Sequence, residues 1–150
     1  MSGRVAVNSG KEGSTGRFSW RHDTISDELL ITSPLGQGVA RITRRDNHVR
    51  LVTADSREYV APDAESLTEQ VLGWRLPLAG LPDWIRGRAT PGRQADARRN
   101  GEGRVVELIQ DDWRVEYQDF EGELPSRMRL ARGDLEIRLV IERWAHTGHP

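Results

Sequence analysis

Alternation of apolar and polar residues runs through most of the chain and constrains its fold more than any other feature. Phe18 and Trp20 alternate with basic and small polar residues, and residues 113–117 and 135–141 repeat this pattern. Because successive side chains of a β-strand point to opposite faces, a period of two predicts strands with one apolar and one polar face. About ten such segments follow one another through short connections, which favours an antiparallel meander.

Turn residues separate these segments. Glycine, asparagine and aspartate adopt positive φ angles more readily than other residues, so short clusters of them predict reversals of the chain. The sequence places such turns or loops at residues 9–16, 33–38, 46–47, 100–101, 111–112, 119–125 and 133–134.

A helical insertion interrupts the strands. Asp63 stands at a helix start, Ala64, Leu67 and Val71 form one apolar stripe, and Gly73 can end the helix, which predicts a helix over residues 63–72. A second short helix is predicted over residues 82–86, in a segment rich in leucine, tryptophan and proline. The apolar face of a long sheet needs a cover, and this insertion is the available cover.

The sequence therefore predicts a mainly β fold with a small helical lid. We expect a single domain over residues 1–150, built as an unclosed antiparallel β-barrel of ten to eleven strands. The insertion, at about residues 62–87, is expected to form a lid over an apolar cavity.

The connection at residues 33–38 carries an isolated leucine. Pro34 restricts φ while Gly36 and Gly38 permit positive φ, so Leu35 is expected at the tip of a loop between two strands. Leu35 either folds back onto the core as a satellite contact or is offered to a partner outside the molecule. Spacing alone favours the satellite contact, because single exposed leucines are common.

Composition and charge exclude several classes of function. The net charge is −1 with 22 basic and 23 acidic residues interleaved, which gives no overall attraction to nucleic acid or to an anionic membrane. The chain contains no cysteine, so it has no thiol nucleophile, disulfide or thiolate metal site. No apolar run approaches the ~18–20 residues of a membrane-spanning helix. No signal peptide is recognised after Met1.

No catalytic motif is found. Phosphate-binding glycine loops, dinucleotide fingerprints and nucleophile elbows are not present in the sequence, and we expect no catalytic residue, metal or cofactor. His146 and His149 lie in a Gly/Pro-ended tail where a rigid metal site is not expected. His22 and His48 are expected to be exposed at strand ends.

Two further groups of charged residues have an ordinary structural interpretation. The pairs Asp27-Glu28 and Asp111-Asp112 are expected in turns rather than in an acid/base site. A basic cluster, which aromatic residues do not interrupt, is interpreted as a solvated sheet edge, with weak attraction to acidic lipid or an acidic partner as the alternative. Its members are Arg41, Arg44, Arg45 and Arg50.

Several segments together resemble the outer-membrane lipoprotein receptor LolB family. The resemblance runs from about Gly3 to Trp144, and it depends on the order and spacing of its segments rather than on one motif. The matching segments are 16–20 (GRFSW), 29–36 (LLITSPLG), 59–65 (YVAPDAE), 81–87 (LPDWIRG), 112–117 (DWRVEY) and 124–144, which begins LPSRM.

The resemblance implies a function in lipoprotein localisation. Members of the family receive acylated lipoproteins from the periplasmic carrier LolA and place them in the inner leaflet of the outer membrane. The implied partners are a LolA-like carrier, acylated lipoproteins and the lipid surface of the outer membrane, with no nucleic acid, and a monomer is expected. The resemblance also implies that Pro34, Leu35 and Gly36 form the membrane-delivery loop, which reverses the preference for a satellite contact.

An apolar cavity would hold the acyl chains. Alternation and the predicted lid supply its lining, although ordinary core packing is the simpler role for any one residue. The expected lining residues are Phe18, Trp20, Leu29, Ile31, Leu51, Leu67, Val71, Leu78, Trp84, Trp113, Val115, Leu130, Ile137 and Leu139.

Three departures from the family pattern bear on this interpretation. Family members carry a signal peptide, an acylated cysteine and a helix before the first strand, and the chain shows none of these. We expect a trimmed form of a lipid-anchored protein, with a soluble paralogue as the alternative. The rival functions are a soluble periplasmic carrier or hydrophobic small-ligand binding protein of the same fold, and an apolar-cored domain without a ligand.

Overall fold

A computed structural model describes residues 1–10 and 12–144. Their strands follow the hydrogen-bonded order β6-β5-β4-β3-β2-β1-β11-β10-β9-β8-β7, in one unclosed antiparallel sheet. The strands are β1 (Ser2–Asn8), β2 (Gly13–His22), β3 (Ser26–Thr32), β4 (Gly38–Arg45), β5 (His48–Thr53), β6 (Glu58–Ala61), β7 (Ala95–Arg99), β8 (Val105–Gln110), β9 (Trp113–Glu121), β10 (Leu124–Arg132) and β11 (Leu135–Arg143). The helices are α1 (Ala64–Leu72) and α2 (Leu81–Trp84).

The predicted fold class is confirmed, because the chain forms an unclosed antiparallel β architecture with a small helical insertion. Within it, the chain divides into two compact units. Of the described residues, unit 1 comprises Met1–Arg4, Thr15–Pro77 and 141–144, and unit 2 comprises 5–10, 12–14 and Leu78–Val140. The single-domain expectation and the apolar cavity stay predictions.

In unit 1, antiparallel pairing places the apolar residues of neighbouring strands on the same face. Phe18 pairs with Ile31 and Trp20 pairs with Leu29, and Leu29 pairs in turn with Ile42 of β4. All five side chains are buried, whereas the polar residues that alternate with them on β2, Arg17, Ser19 and Arg21, are exposed. Cross-strand pairs of this kind are the unit of sheet stabilisation.

Helix α1 packs against β5 and β6 of the same unit. The side chain of Asp63 accepts a hydrogen bond from the backbone N–H of Ser66 at 2.8 Å, and Gly73 ends the helix in the left-handed region at φ 86°. The buried hydroxyl of Thr68 donates to the carbonyl oxygen of Ala64 at 2.8 Å and accepts from the N–H of Leu76 at 2.9 Å. The predicted helix is confirmed, and Thr68 also fixes the chain that follows it.

In unit 2, buried polar groups hold α2 in place. The indole N–H of Trp84 donates to Oε1 of Gln110 at 2.8 Å, and the hydroxyl of Tyr117 donates to the carbonyl oxygen of Trp84 at 2.5 Å. A side chain on Gly80 would meet the Trp84 ring at 2.4 Å, so glycine is required there. The predicted second helix exists, but it begins at Leu81 and ends at Trp84 rather than at residue 86.

One strand was not predicted, and two predicted loops are shorter in the structure. Strand β7 was not predicted because its ADARR sequence has no apolar alternation, and a charged, mostly exposed strand is typical of a sheet edge. The predicted loop at residues 119–125 is a short turn between β9 and β10, with a register shift between Pro125 and Arg127. The predicted loop at 9–16 ends earlier, since β2 begins at Gly13.

Gly16 has a packing role inside β2 that its loop assignment did not anticipate. A Cβ atom at this position would lie 2.4 Å from the carbonyl oxygen of Thr32 on the neighbouring strand. This distance is too short for any side chain. Glycine is therefore required here because the two strand backbones lie close together, and not because the chain turns.

Burial of Tyr117 predicts a loss of stability at alkaline pH. Desolvation raises the pKa of its hydroxyl well above 10 in the folded protein, whereas the unfolded chain releases this proton near pH 10. Below pH 10 the protonated hydroxyl therefore contributes fully to the free energy of unfolding. Above pH 10 this contribution falls by about 1.4 kcal/mol per pH unit.

We expect Tyr117→Phe to lose ~1–2 kcal/mol of unfolding free energy at pH 8, because the Trp84 carbonyl loses its donor. The difference from the wild type should narrow as the pH rises above 10. Urea unfolding at pH 8 to 11 measures both effects. Parallel stability curves for the two proteins over this range would show that Tyr117 does not carry the alkaline dependence.

Candidate functional site

A short hydrogen-bonded turn presents Leu35 to solvent. The N–H of Ser33 donates to the carbonyl oxygen of Gln37 at 2.7 Å, and the N–H of Gly36 donates to the carbonyl oxygen of Ser33 at 2.9 Å. The Ser33 hydroxyl oxygen accepts from the Gln37 N–H at 3.1 Å. Leu35, between these bonds, is 91% exposed. The satellite contact considered from spacing alone is therefore wrong, and the predicted loop between two strands is confirmed.

The neighbours of Leu35 shape this turn. Pro34 and Gly36 are both exposed, and Gly36 adopts a φ of 89° that disfavours any other residue. Proline reduces the freedom of the preceding backbone. The turn therefore displays one large apolar side chain on a locally fixed backbone. The structure places the three residues together, and their role in membrane delivery stays a prediction.

Thirteen of the fourteen predicted cavity residues are buried, and Val71 is half-buried. In unit 1 these are Phe18, Trp20, Leu29, Ile31, Leu51 and Leu67, and in unit 2 they are Leu78, Trp84, Trp113, Val115, Leu130, Ile137 and Leu139. Burial is expected of a core as well as of a cavity lining. Their part in acyl-chain binding thus stays a prediction.

A buried carboxylate on the apolar face of unit 1 was missed. Asp27 is 4% exposed and faces His22 and Arg44 across its two neighbouring strands. Its Oδ1 accepts from the indole N–H of Trp20 at 2.9 Å and lies 2.5 Å from Nδ1 of His22. Its Oδ2 accepts from Nε of Arg44 at 2.5 Å. Three partners thus compensate the burial of this charge.

The sequence contained a signal for this cluster. The turn assignment of Asp27 and Glu28 is wrong, since both lie within β3, whereas the turn at Asp111-Asp112 is confirmed by their positive φ angles. Asp27 lies two and four residues before Leu29 and Ile31, so in a β-strand its side chain points to the same apolar face as theirs. An acid at an inward position calls for a partner from the neighbouring strands.

The basic cluster does not lie at a sheet edge, because β4 and β5 both have neighbours on either side. Arg44 pairs with Asp27, while Arg41 lies 3.7 Å from Glu28 and Arg50 lies 3.0 Å from Glu58. His22 and His48 are exposed at strand ends, as expected. The edge interpretation is therefore wrong, because the cluster lies on interior strands. Three of its four arginines pair with acids there, and among the described residues Arg45 has no carboxylate within ion-pair distance.

Residues 1–10 and 12–144 contain neither a metal-binding cluster nor a membrane-spanning helix. No three His, Cys, Asp or Glu side chains of this part of the chain are arranged to hold a metal ion. None of its helices has the length and apolar character needed to cross a membrane. His146 and His149 lie outside the described residues.

Asp27 is expected to stabilise the fold through its partners. Replacing it with asparagine leaves the half-buried guanidinium of Arg44 without its counter-charge, which should cost ~2–3 kcal/mol of unfolding free energy. Asp96→Asn, on the exposed edge strand β7, removes the same charge and should change stability by less than ~0.5 kcal/mol. Chemical denaturation at pH 7 measures both variants. If Asp27→Asn and Asp96→Asn were equally stable, the bonds of Asp27 with its partners would not stabilise the fold.

Comparison with known proteins identifies the family. The family model described as outer membrane lipoprotein LolB matches residues 1–144. Proteins named outer-membrane lipoprotein LolB are similar over 96% of this chain: one from Nitrosomonas europaea is 42% identical and covered over 71% of its length, and one from Azoarcus sp. is 36% identical and covered over 76%. A third, from Thiobacillus denitrificans, is 38% identical and covered over 78%. The chain thus belongs to the LolB family of outer-membrane lipoproteins.

Proposed function

We propose that this chain is a receptor for lipoproteins at the periplasmic face of the outer membrane. It accepts acylated lipoproteins from a LolA-like carrier and delivers them to the inner leaflet of that membrane. The observation that carries the proposal is the 91% exposure of Leu35 on a hydrogen-bonded turn, in a chain of the LolB family. A soluble carrier has no use for such a residue, so the exposed Leu35 favours delivery over carriage.

Leu35 is suited to a transient contact with lipid. Burying one leucine side chain contributes about 1.5–3 kcal/mol, which biases an encounter but does not anchor a protein. The turn backbone is fixed by bonds of Ser33 with Gly36 and Gln37, so little conformational entropy is lost when the side chain enters the bilayer. Weak, reversible docking is what repeated delivery requires.

Apolar side chains of each unit are proposed to bind the acyl chains. Each CH₂ group removed from water contributes ~0.8 kcal/mol, so contact with one acyl chain supplies several kcal/mol without any directional bond. Trp20 and Leu29 in unit 1, and Val115 and Leu130 in unit 2, are paired on apolar strand faces of this kind. Apolar contact binds chains of different lipoproteins without selecting among their protein parts.

The direction of transfer depends on differences in affinity. The chain must hold acyl groups more tightly than the carrier and less tightly than the bilayer, because a ligand moves only toward the site with the lower free energy. In this proposal the native protein is lipid-anchored and acts as a monomer, so that its exposed turn remains close to the membrane that receives the lipoprotein.

Leu35→Glu tests the delivery step. We expect transfer of lipoprotein from the carrier to be unchanged, and release into liposomes to fall by about tenfold or more, since the apolar contribution of ~1.5–3 kcal/mol is lost. The two steps are measured separately with a labelled lipoprotein–carrier complex, first without liposomes and then with them.

Ile25→Glu is the matched control. Ile25 is 52% exposed on the turn between β2 and β3. The substitution therefore places the same negative charge on a comparable turn at the other end of the strands. This variant should deliver lipoprotein normally. Normal delivery by Leu35→Glu, or an equal loss in both variants, would remove the assigned role of Leu35.

A further inference from the structure

A polar pocket lies at the end of β2–β5 that is remote from Leu35. Its volume is about 760 Å³, and all its lining residues are charged or polar, with four arginines and two histidines against three carboxylates. Consecutive turns of an antiparallel meander alternate between its two ends, so the seven residues of β3 separate the pocket from the Leu35 turn. That distance is ~20 Å, and the pocket is not part of the proposed delivery loop.

The three carboxylates of this pocket are already occupied by partners on the protein. Asp27 is bound by Trp20, His22 and Arg44, as described above. Asp23 accepts hydrogen bonds from the backbone N–H groups of Ile25 and Ser26, each at 2.9 Å. The carboxylate of Glu28 lies 3.7 Å from the guanidinium of Arg41, outside the pocket lining.

Two of the arginines are not neutralised in this way. Among the described residues, no carboxylate lies within ion-pair distance of Arg21 or Arg45, although both line the pocket. His48 stands opposite Arg45 in the register of β4 and β5, and the hydroxyl of Thr43 also lines the pocket. The guanidinium groups provide five N–H donors each, so the pocket combines excess positive charge with many unused donors.

We propose that this pocket binds a phosphate group of an organic phosphate ester, held chiefly by Arg21 and Arg45. Guanidinium groups match the oxygens of a phosphate in a bidentate arrangement. Two of them balance the double negative charge of a monoester such as glycerol phosphate and more than balance the single charge of a lipid phosphodiester. Thr43 and His48 add polar contacts. The volume of the pocket exceeds that of one inorganic ion, so it has room for the organic part of an ester. The site does not depend on the proposed receptor function.

The test uses glycerol phosphate as a soluble probe and vesicles of phosphatidylglycerol mixed with phosphatidylcholine as a membrane probe. The variant Arg21→Gln/Arg45→Gln removes the two unpaired charges. The control Arg57→Gln/Arg98→Gln removes two exposed charges outside the pocket. Calorimetry measures binding of the soluble probe, and flotation measures binding to vesicles, both at low ionic strength, where exposed charges are least screened.

We expect glycerol phosphate to bind the wild type and the control variant alike, and to bind the pocket variant about tenfold or more weakly. Pocket-dependent binding to vesicles as well would identify a lipid headgroup as the source, and binding of the soluble probe alone would identify a free phosphate ester. Two results would overturn the proposal: no binding of either probe to the folded wild type, or an equal loss in the pocket and control variants.

Discussion

The need to cover the apolar faces of antiparallel strands governs the rest of this structure. In unit 1, α1 packs against β5 and β6, and Thr68 fixes both the helix and the chain after it. In unit 2, the short α2 depends on the bonds that Gln110 and Tyr117 make with Trp84. A four-residue helix has little stability of its own, so its position follows from these tertiary bonds.

Two residues depart in opposite ways from the rule that apolar side chains are buried and charged side chains are exposed. Leu35 is apolar and exposed on a turn, while Asp27 is charged and buried on an apolar face. Asp27 is compensated by neighbours on both adjoining strands, notably Arg44, so its burial is explained within the fold. Leu35 makes no such contact, and no structural requirement accounts for a leucine there. Residues that break a local rule without compensation are candidates for function, which is why Leu35 carries the proposed delivery step.

Alternation and local backbone chemistry predicted most of the fold. The helix cap at Asp63 and the turn at Asp111-Asp112 depend on neighbouring residues only, so sequence was sufficient for both. Strand β7 was not predictable, because its place comes from pairing with β8 rather than from its own pattern. For the site, the sequence pattern placed Leu35 on a turn, and the family resemblance rather than spacing indicated its exposure. The pairing of Asp27 with Arg44 required the strand register, which residues far apart in the chain determine together.

The proposed receptor function requires that an acylated lipoprotein pass from a carrier to this chain, and native mass spectrometry detects this transfer without a label. The folded chain would be mixed with a lipoprotein–carrier complex, and the masses of all complexes recorded. We expect a stoichiometric complex of this chain with the lipoprotein, together with free carrier. A folded chain that forms no such complex, while the carrier keeps its lipoprotein, would contradict the receptor function.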